Sequence, residues 1–345
     1  MTKKTLYIHI GCEKTGTTSI QNVLADNRSA LSQQRVLYPK IGKLDFAQLL
    51  LPAALQALDY PQRPRADYYP GNEEIDADSV WNGFIDFAKA NASNDIIISA
   101  EHFSSRTMEN GLQYLKQKLS GLDNLFNLKI IIYLRRQDKF MESTYSTIIK
   151  AGGRIGFEDF YNSHLPLRER YDFSILLDRW VSVFGRDALI VKDYEAEIKD
   201  KGLLSSFFNI VGINSETLSL ESQNENVSWP VSVIELARLC NSPRIISQLG
   251  NNRVNFLNGV AKSLEQKERN KIYRFNSEQR QAILDFYYAS NRQVEIEYFG
   301  DNAFLTNISS TLKSEESTLN SEVTLTKMDI ADMFARFYLT NNQVD

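Results

Sequence analysis

The stretch that decides the fold is residues 5–20, which read TLYIHIGCEKTGTTSI. Its first six residues are rich in β-branched and aromatic side chains, and they predict a short buried strand that ends at Gly11. The polar, hydroxyl-rich segment that follows leads into a helical pattern over 17–26. A strand that turns through two glycines directly into a helix is a building unit of α/β folds.

Further strands and helices alternate along the chain. Apolar, β-branched runs predict strands at 96–98, 128–134 and 188–192. Helical patterns lie between and after them, at 46–58, 80–91, 107–119, 138–150 and 171–183. Near-continuous apolar runs are typical of parallel strands covered on both faces. We therefore predict a three-layer α/β fold with a mostly parallel central sheet flanked by helices, whose ligands bind at the carboxyl ends of the strands.

Composition narrows the class of protein. The 345 residues are 43% hydrophobic and 24% charged, with a net charge of −4, which argues against disorder and against sequence-independent nucleic-acid binding. Two cysteines are consistent with a reducing compartment. Together with only three histidines, they provide few candidate ligands for a zinc site. No apolar run reaches the roughly 18 residues of a membrane span, and the N-terminus does not continue as a signal peptide. We expect a soluble, cytoplasmic protein without a transmembrane segment or a nucleic-acid partner.

The turn after the first strand predicts an anion site. Gly11 and Gly16 allow a tight turn whose N–H groups face inward, residues 17–19 add hydroxyls, and Lys14 adds a positive charge. The loop differs from the triphosphatase pattern GxxxxGK[ST], because Thr17 stands where that pattern has its lysine. This difference argues against a magnesium-dependent triphosphatase. The alternative is an ordinary strand-to-helix turn.

The turn after the strand at 128–134 carries a second candidate anion site. It reads RRQDKFMES, with Arg135 at the strand end and Ser143 in the second turn of the next helix. Helical side chains lean toward the N-terminus, so Arg135 and Ser143 are predicted to converge on one small anion. Asp138 is predicted to be the N-cap of that helix. The alternative is a solvated arginine pair at a helix entry.

The loop GxxKxGTTS and the Arg with a Ser eight positions later resemble the two donor signatures of sulfotransferases that use 3′-phosphoadenosine 5′-phosphosulfate (PAPS). Looser similarity to bacterial, carbohydrate-type members runs from about residue 5 to 300. The resemblance implies a P-loop-like sulfotransferase fold and in-line sulfuryl transfer from PAPS to a hydroxyl or amine, without a metal. It implies that Lys14 offsets charge on the leaving oxygen. It also implies these donor-binding residues: Gly11, Lys14, Thr15, Gly16, Thr17, Thr18, Arg135 and Ser143.

Sulfuryl transfer needs a base for the proton of the acceptor. The strand at 96–100 leads into Glu101 and His102, at the same sheet edge as the two anion loops. Family members that act on carbohydrate or tyrosine hydroxyls often use a glutamate near the second strand, and others use a histidine. We therefore predict Glu101 as the base, with His102 as the alternative. On an extended segment, only one of the two would face the donor. His9 is predicted to be a hydrogen-bonded core residue.

The predicted organisation is a sulfotransferase domain over 1–303, a Ser/Thr/Glu-rich linker over 304–326 and an amphipathic helix over 327–340. The predicted partners are a small-molecule donor and a carbohydrate or glycoconjugate acceptor, for which 41–80 is a candidate binding segment. Oligomeric state stays open, with a homo-oligomer as one alternative. Two other functions also stay open: a P-loop, ATP-dependent small-molecule kinase, and a catalytically silent nucleotide-binding scaffold in polysaccharide assembly.

Overall fold

The computed structural model describes residues 2–62, 69–70, 74–220, 229–250, 252–264, 275–300, 304–306, 325–326, 329–330, 332–334 and 336. The chain divides into two compact units. The first unit comprises 1–135, 172–223 and 297–300, and the second comprises 136–171, 224–296 and 301–345. Most of the predicted linker at 304–326 and of the predicted helix at 327–340 lies outside the described residues, so both stay predictions.

The first unit is built on a five-stranded sheet in which every neighbouring pair is parallel. Its strands are β1 (Lys4–His9), β2 (Val36–Leu37), β3 (Asp95–Ser99), β4 (Phe126–Leu134) and β5 (Leu189–Asp193). Their order across the sheet is β2-β3-β1-β4-β5. This parallel sheet with its flanking helices confirms the predicted α/β class. Strand β2 was not predicted, because two residues are too few to show a hydrophobic period.

The helices, in chain order, are α1 (Thr17–Asp26), α2 (Arg28–Gln33), α3 (Leu50–Asp59), α4 (Ala77–Ala90), α5 (His102–Arg106), α6 (Glu109–Ser120), α7 (Gln137–Lys150), α8 (Phe157–His164), α9 (Arg168–Tyr171), α10 (Phe173–Phe184), α11 (Tyr194–Asp200), α12 (Leu203–Val211), α13 (Val231–Cys240), α14 (Pro243–Leu249), α15 (Asn252–Ser263), α16 (Ser277–Phe286) and α17 (Tyr288–Phe299). Helices α7–α9, α13–α16 and most of α17 belong to the second unit. None of the helices in the described ranges has the length and apolar character to span a bilayer.

Both faces of the sheet are buried, as the near-continuous apolar runs predicted. On one face, Ile97, Ile131 and Tyr133 pack with apolar side chains of α1, α2 and α12. Alternation along β4 directs Ile130 and Ile132 to the opposite face, where they are also fully buried. Full burial of each such side chain contributes about 1.5–3 kcal/mol to the free energy of folding.

The second unit is helical where it is described. Helix α7 contacts α8, α13 and α16, and aromatic rings form much of its core. The ring of Tyr145, for example, packs edge-on against Phe157, which stacks on Phe275. Near the C-terminus, Met333 is buried and Phe334 stacks on Phe256 of α15, with ring centroids 5.3 Å apart.

Candidate functional site

The strand order sets the place of the candidate site. Strand β1 lies between β3 and β4, so the loop after β1 emerges between the turns that follow those two strands. Because the strands are parallel, all three turns are at the carboxyl edge of the sheet. This is the place where the chain reverses its direction of travel across the sheet, the usual ligand position in open α/β folds.

The loop after β1 has an unusual backbone. Gly11, Lys14 and Gly16 all have positive φ angles, of 53°, 67° and 72°. Lys14 is a non-glycine residue in this left-handed region, which is uncommon and costs conformational energy. A hydrogen bond within the loop stabilises the turn: the buried Thr15 hydroxyl donates to the carbonyl oxygen of Cys12 at 2.6 Å.

Close packing explains the glycine at the start of this loop. A Cβ added to Gly11 would lie 2.9 Å from Oγ1 of Thr17 and 3.2 Å from the Cα of Glu101. The loop backbone therefore lies directly against the turn after β3. This contact brings the candidate base segment beside the candidate anion loop.

The start of α1 has features of an anion site. Gly16 is its N-cap residue, no side chain caps the helix, and its first turn holds no acidic residue. The Thr17 hydroxyl is 2% exposed and has no hydrogen-bond partner among the described residues. By contrast, the carboxylate of Asp193 caps α11 through the N–H groups of Glu195 and Ala196. An uncapped helix start and a buried, unpaired hydroxyl together fit an anionic group.

Arg135 joins the loop after β1 to the turn after β5. Its Nη1 donates to the carbonyl oxygen of Lys14 at 3.1 Å, and its Nε donates to Oε1 of Glu195 at 2.9 Å. Its guanidinium carbon also lies 5.2 Å from the centre of the Tyr194 ring, within cation–π range. The structure thus brings Arg135 against the backbone of Lys14.

Ser143 lies half-buried in the second turn of α7, in the second unit, whereas Arg135 belongs to the first unit. Its convergence with Arg135 on one anion therefore stays a prediction. The prediction that Asp138 is the N-cap of α7 is wrong, because α7 begins at Gln137 and Arg136 stands at the N-cap position. The Asp138 carboxylate instead accepts hydrogen bonds from Arg136, at 2.7 Å, and from Arg280.

Glu101 and His102 are arranged differently from the prediction. Glu101 has helical backbone angles and His102 is the first residue of α5, so the segment is not extended. Successive side chains therefore point roughly 100° apart rather than to opposite sides. Burial, and then the negative charge of Glu13, raise the pKa of the half-buried Glu101, while the charge of Lys14 opposes them. The charges of two residues in the loop after β1 therefore act on the carboxyl group of Glu101.

His9 is a buried core residue, as predicted. Its Nδ1 is 2.8 Å from Oγ of Ser99, and the ring packs against Phe207 and Tyr133. Burial lowers the pKa of His9 to about 3. A neutral, enclosed imidazole of this kind does not reach an acceptor.

Sequence reasoning missed the turn after β5. No residue of the segment Lys192-Asp-Tyr-Glu195 is among the predicted site residues, yet Tyr194 and Glu195 both contact Arg135. A signal was present, because the strand predicted at 188–192 ends at the same edge of a parallel sheet as the others. Glu13, whose charge acts on Glu101, was also not singled out.

A separate open cavity of about 1040 Å³ lies at the opposite end of the sheet. Its lining includes residues at or beside the starts of β1, β4 and β5, among them Thr5, Phe126 and Ala188. It is therefore not part of the candidate site at the carboxyl edge.

No family model matches the chain. An uncharacterized protein of Archaeoglobus fulgidus is 25% identical over 208 residues, which are 59% of this chain and 54% of the relative. The chain thus spans about half the length of the curated relative that it matches.

The solved structures that are similar to this chain include two sulfotransferases. A sulfotransferase from Alicyclobacillus acidocaldarius is 15% identical, with a TM-score of 0.40, over 72% of this chain and 96% of that one. The sulfotransferase domain from the curacin biosynthetic pathway is 14% identical, with a TM-score of 0.40, over 82% of this chain and 97% of that one.

Proposed function

We propose that this protein is a PAPS-dependent sulfotransferase that moves a sulfuryl group to an acceptor hydroxyl or amine, with a carbohydrate or glycoconjugate as the acceptor class. The observation that carries the proposal is the 3.1 Å hydrogen bond from Arg135 to the carbonyl oxygen of Lys14. This bond joins the ends of two neighbouring strands, and each end bears a cationic side chain. Such a pair suits a donor with anionic groups at both ends.

The residues of the loop suit the 5′-phosphosulfate end of PAPS. The uncapped start of α1 offers backbone N–H groups, and the buried Thr17 hydroxyl can donate one more hydrogen bond. Lys14, Thr15, Gly16 and Thr18 complete this part of the proposed site, and Gly11 lets the loop approach the turn after β3. Arg135 and Ser143 are assigned to the 3′-phosphate.

PAPS supplies the sulfuryl group, and the residues of this chain supply the base and the stabilising charge. Glu101 takes the proton as the acceptor oxygen or nitrogen forms its bond to sulfur, and His102 is the alternative base. Lys14 stabilises the negative charge that grows on the bridging oxygen as the bond from sulfur to that oxygen breaks. Burial supports this role for Glu101, because a raised pKa makes its carboxylate a stronger base.

Nucleotide selectivity tests the proposal. 3′-Phosphoadenosine 5′-phosphate (PAP), the expected product, should raise the melting temperature without magnesium, whereas ADP and ATP should raise it much less. At about 100 times its dissociation constant, PAP should add roughly 2.7 kcal/mol to the free energy of unfolding. Ser143→Ala should reduce the shift with PAP but not with ADP, and Ser146→Ala on the same helix is the matched control. An equal response to PAP and ADP would remove the roles assigned to Arg135 and Ser143.

Turnover with PAPS separates an enzyme from a silent scaffold. Lys14→Ala should lower the rate of transfer more than it lowers the affinity for PAP, because the help from Lys14 grows toward the transition state. A wild-type protein that binds PAP but transfers no sulfuryl group to any acceptor in a broad carbohydrate panel would support the scaffold. A response to ATP with magnesium and none to PAP would support the kinase.

A further inference from the structure

The guanidinium group of Arg135 is hydrogen-bonded through some of its N–H groups but not through all of them. Its Nε is bonded to Glu195 and one N–H of Nη1 is bonded to the carbonyl oxygen of Lys14. Among the described residues, its Nη2 has no hydrogen-bond partner, and the side chain is only partly buried. A guanidinium has five N–H donors in a rigid plane, so fixing Nε also fixes the direction of the remaining donors.

The residues that hold Arg135 are themselves fixed. The N–H of Glu195 donates to Oδ1 of Asp193 at 3.0 Å, which anchors Glu195 in the first turn of α11. The hydroxyl and Cε2 of Tyr194 both lie 3.7 Å from the point where a Cβ on Gly16 would stand. The Tyr194 ring therefore packs against the loop and also lies within cation–π range of Arg135.

We propose that Glu195 is a positioning residue that holds Arg135 by its Nε, so that the outer N–H of Nη2 is presented to the 3′-phosphate of the nucleotide. This inference rests on the proposed function. Arginine otherwise loses much rotamer freedom when it binds an anion, and a partner that orders the side chain beforehand removes that cost from binding. The Glu195 carboxylate lies on the edge that Nε shares with one N–H of Nη2, so the outer N–H of Nη2, which points away from Nε, is left for a phosphate.

Two substitutions separate positioning from charge. Glu195→Gln keeps an oxygen that can accept from Nε but removes the negative charge, whereas Glu195→Ala removes the acceptor as well. If positioning is the role, Glu195→Ala weakens PAP binding about tenfold and Glu195→Gln restores affinity to within about twofold of wild type. A purely structural role would not produce this rescue.

Titration calorimetry with purified full-length protein gives the test, with PAP and ADP as probes. Glu195→Ala should weaken PAP and leave ADP unchanged, because ADP lacks the 3′-phosphate. Asp200→Ala, at the far end of α11, should change neither affinity. Unchanged or tighter PAP binding by Glu195→Ala would overturn the inference, as would equal weakening of PAP and ADP. If the wild-type protein does not bind PAP, the proposed function itself fails, and the inference fails with it.

Discussion

Glu101 lies where two opposite charges act on one carboxyl group. Burial is the largest cause of its raised pKa, Glu13 adds to the rise, and Lys14 opposes it. A carboxylate with a raised pKa accepts a proton more readily, which is useful in a base as long as the group stays ionised at the working pH. The proposed base, Glu101, and the proposed stabiliser of the leaving group, Lys14, therefore interact through their charges, and Glu13 acts on the same carboxyl group.

A pH profile tests this arrangement. The acid limb of kcat/KM should lie above the ordinary range of a glutamate, because Glu101 must lose its proton to act. Glu13→Gln should move that limb to lower pH, since it removes a neighbouring negative charge that raises the pKa of Glu101. Glu109→Gln, at the exposed start of α6, is the matched control. The measurement is kcat/KM for PAPS-dependent transfer between pH 4.5 and 8, in steps of about half a pH unit.

Direct substitution then decides between the two candidate bases. Glu101→Gln should lower the rate by about a hundredfold or more, the usual range for removal of a general base, and His102→Ala should lower it much less. The reverse pattern would assign the base to His102. In that case, Glu13→Gln should leave the acid limb unchanged.

At the scale of elements, α7 begins in a buried cluster of four charged side chains. Arg136, Asp138, Glu142 and Arg280 are all buried, and Arg280 on α16 binds both carboxylates. Burial alone would raise the pKa of Asp138, but its hydrogen bond and charge interactions with Arg136 and Arg280 outweigh burial and lower it. Two positive and two negative charges balance, so the cluster can tie α7 to α16 without an uncompensated charge.

Removing one charge from this cluster should cost stability. Asp138→Asn leaves two buried arginines with one carboxylate, so the free energy of unfolding should fall by about 3–5 kcal/mol. Urea unfolding at pH 7 measures the loss, and Asp159→Asn, at an exposed position of α8, is the control. A loss equal to that of the control would show that the cluster does not stabilise the second unit.

The same elements show what sequence could and could not predict. Helix α1 was predicted at its observed bounds, because its hydrophobic period and the preceding glycine are local signals. By contrast, the continuous helical pattern at 278–298 does not show that the chain forms two helices, α16 and α17. The break between them is at Tyr287, whose hydroxyl donates to the carbonyl oxygen of Leu165. Asp138 has the local features of a cap, yet Arg280, far away in sequence, binds its carboxylate. Contacts between distant segments leave no local pattern.

At the scale of the whole molecule, strand order turns separate motifs into one candidate site. Sequence predicted parallel strands and thus a shared edge, but it did not predict that β1 lies between β3 and β4. That order is what sets the loop beside both Glu101 and Arg135. The contacts of Arg135 with Glu195 and Tyr194 follow in turn from β5 lying next to β4.

The buried histidine below the site should make the stability of the fold depend on pH. The pKa of His9 falls from 6.5 to about 3 on folding, so between these values the unfolded chain binds a proton that the folded chain does not. The free energy of unfolding should therefore fall as the pH drops below 6.5, by at most about 1.4 kcal/mol per pH unit from this residue. Above pH 6.5, His9 should contribute no pH dependence.

His9→Asn keeps a group that can bond to Ser99 but does not titrate. Its free energy of unfolding, measured in urea from pH 7.5 to 4.5, should therefore decline less steeply than that of wild type. His164→Asn, at a half-buried position where burial also lowers the pKa, should flatten the slope less. Parallel slopes for wild type and His9→Asn would mean that His9 is protonated in the folded chain, which its enclosed position between Phe207 and Tyr133 argues against.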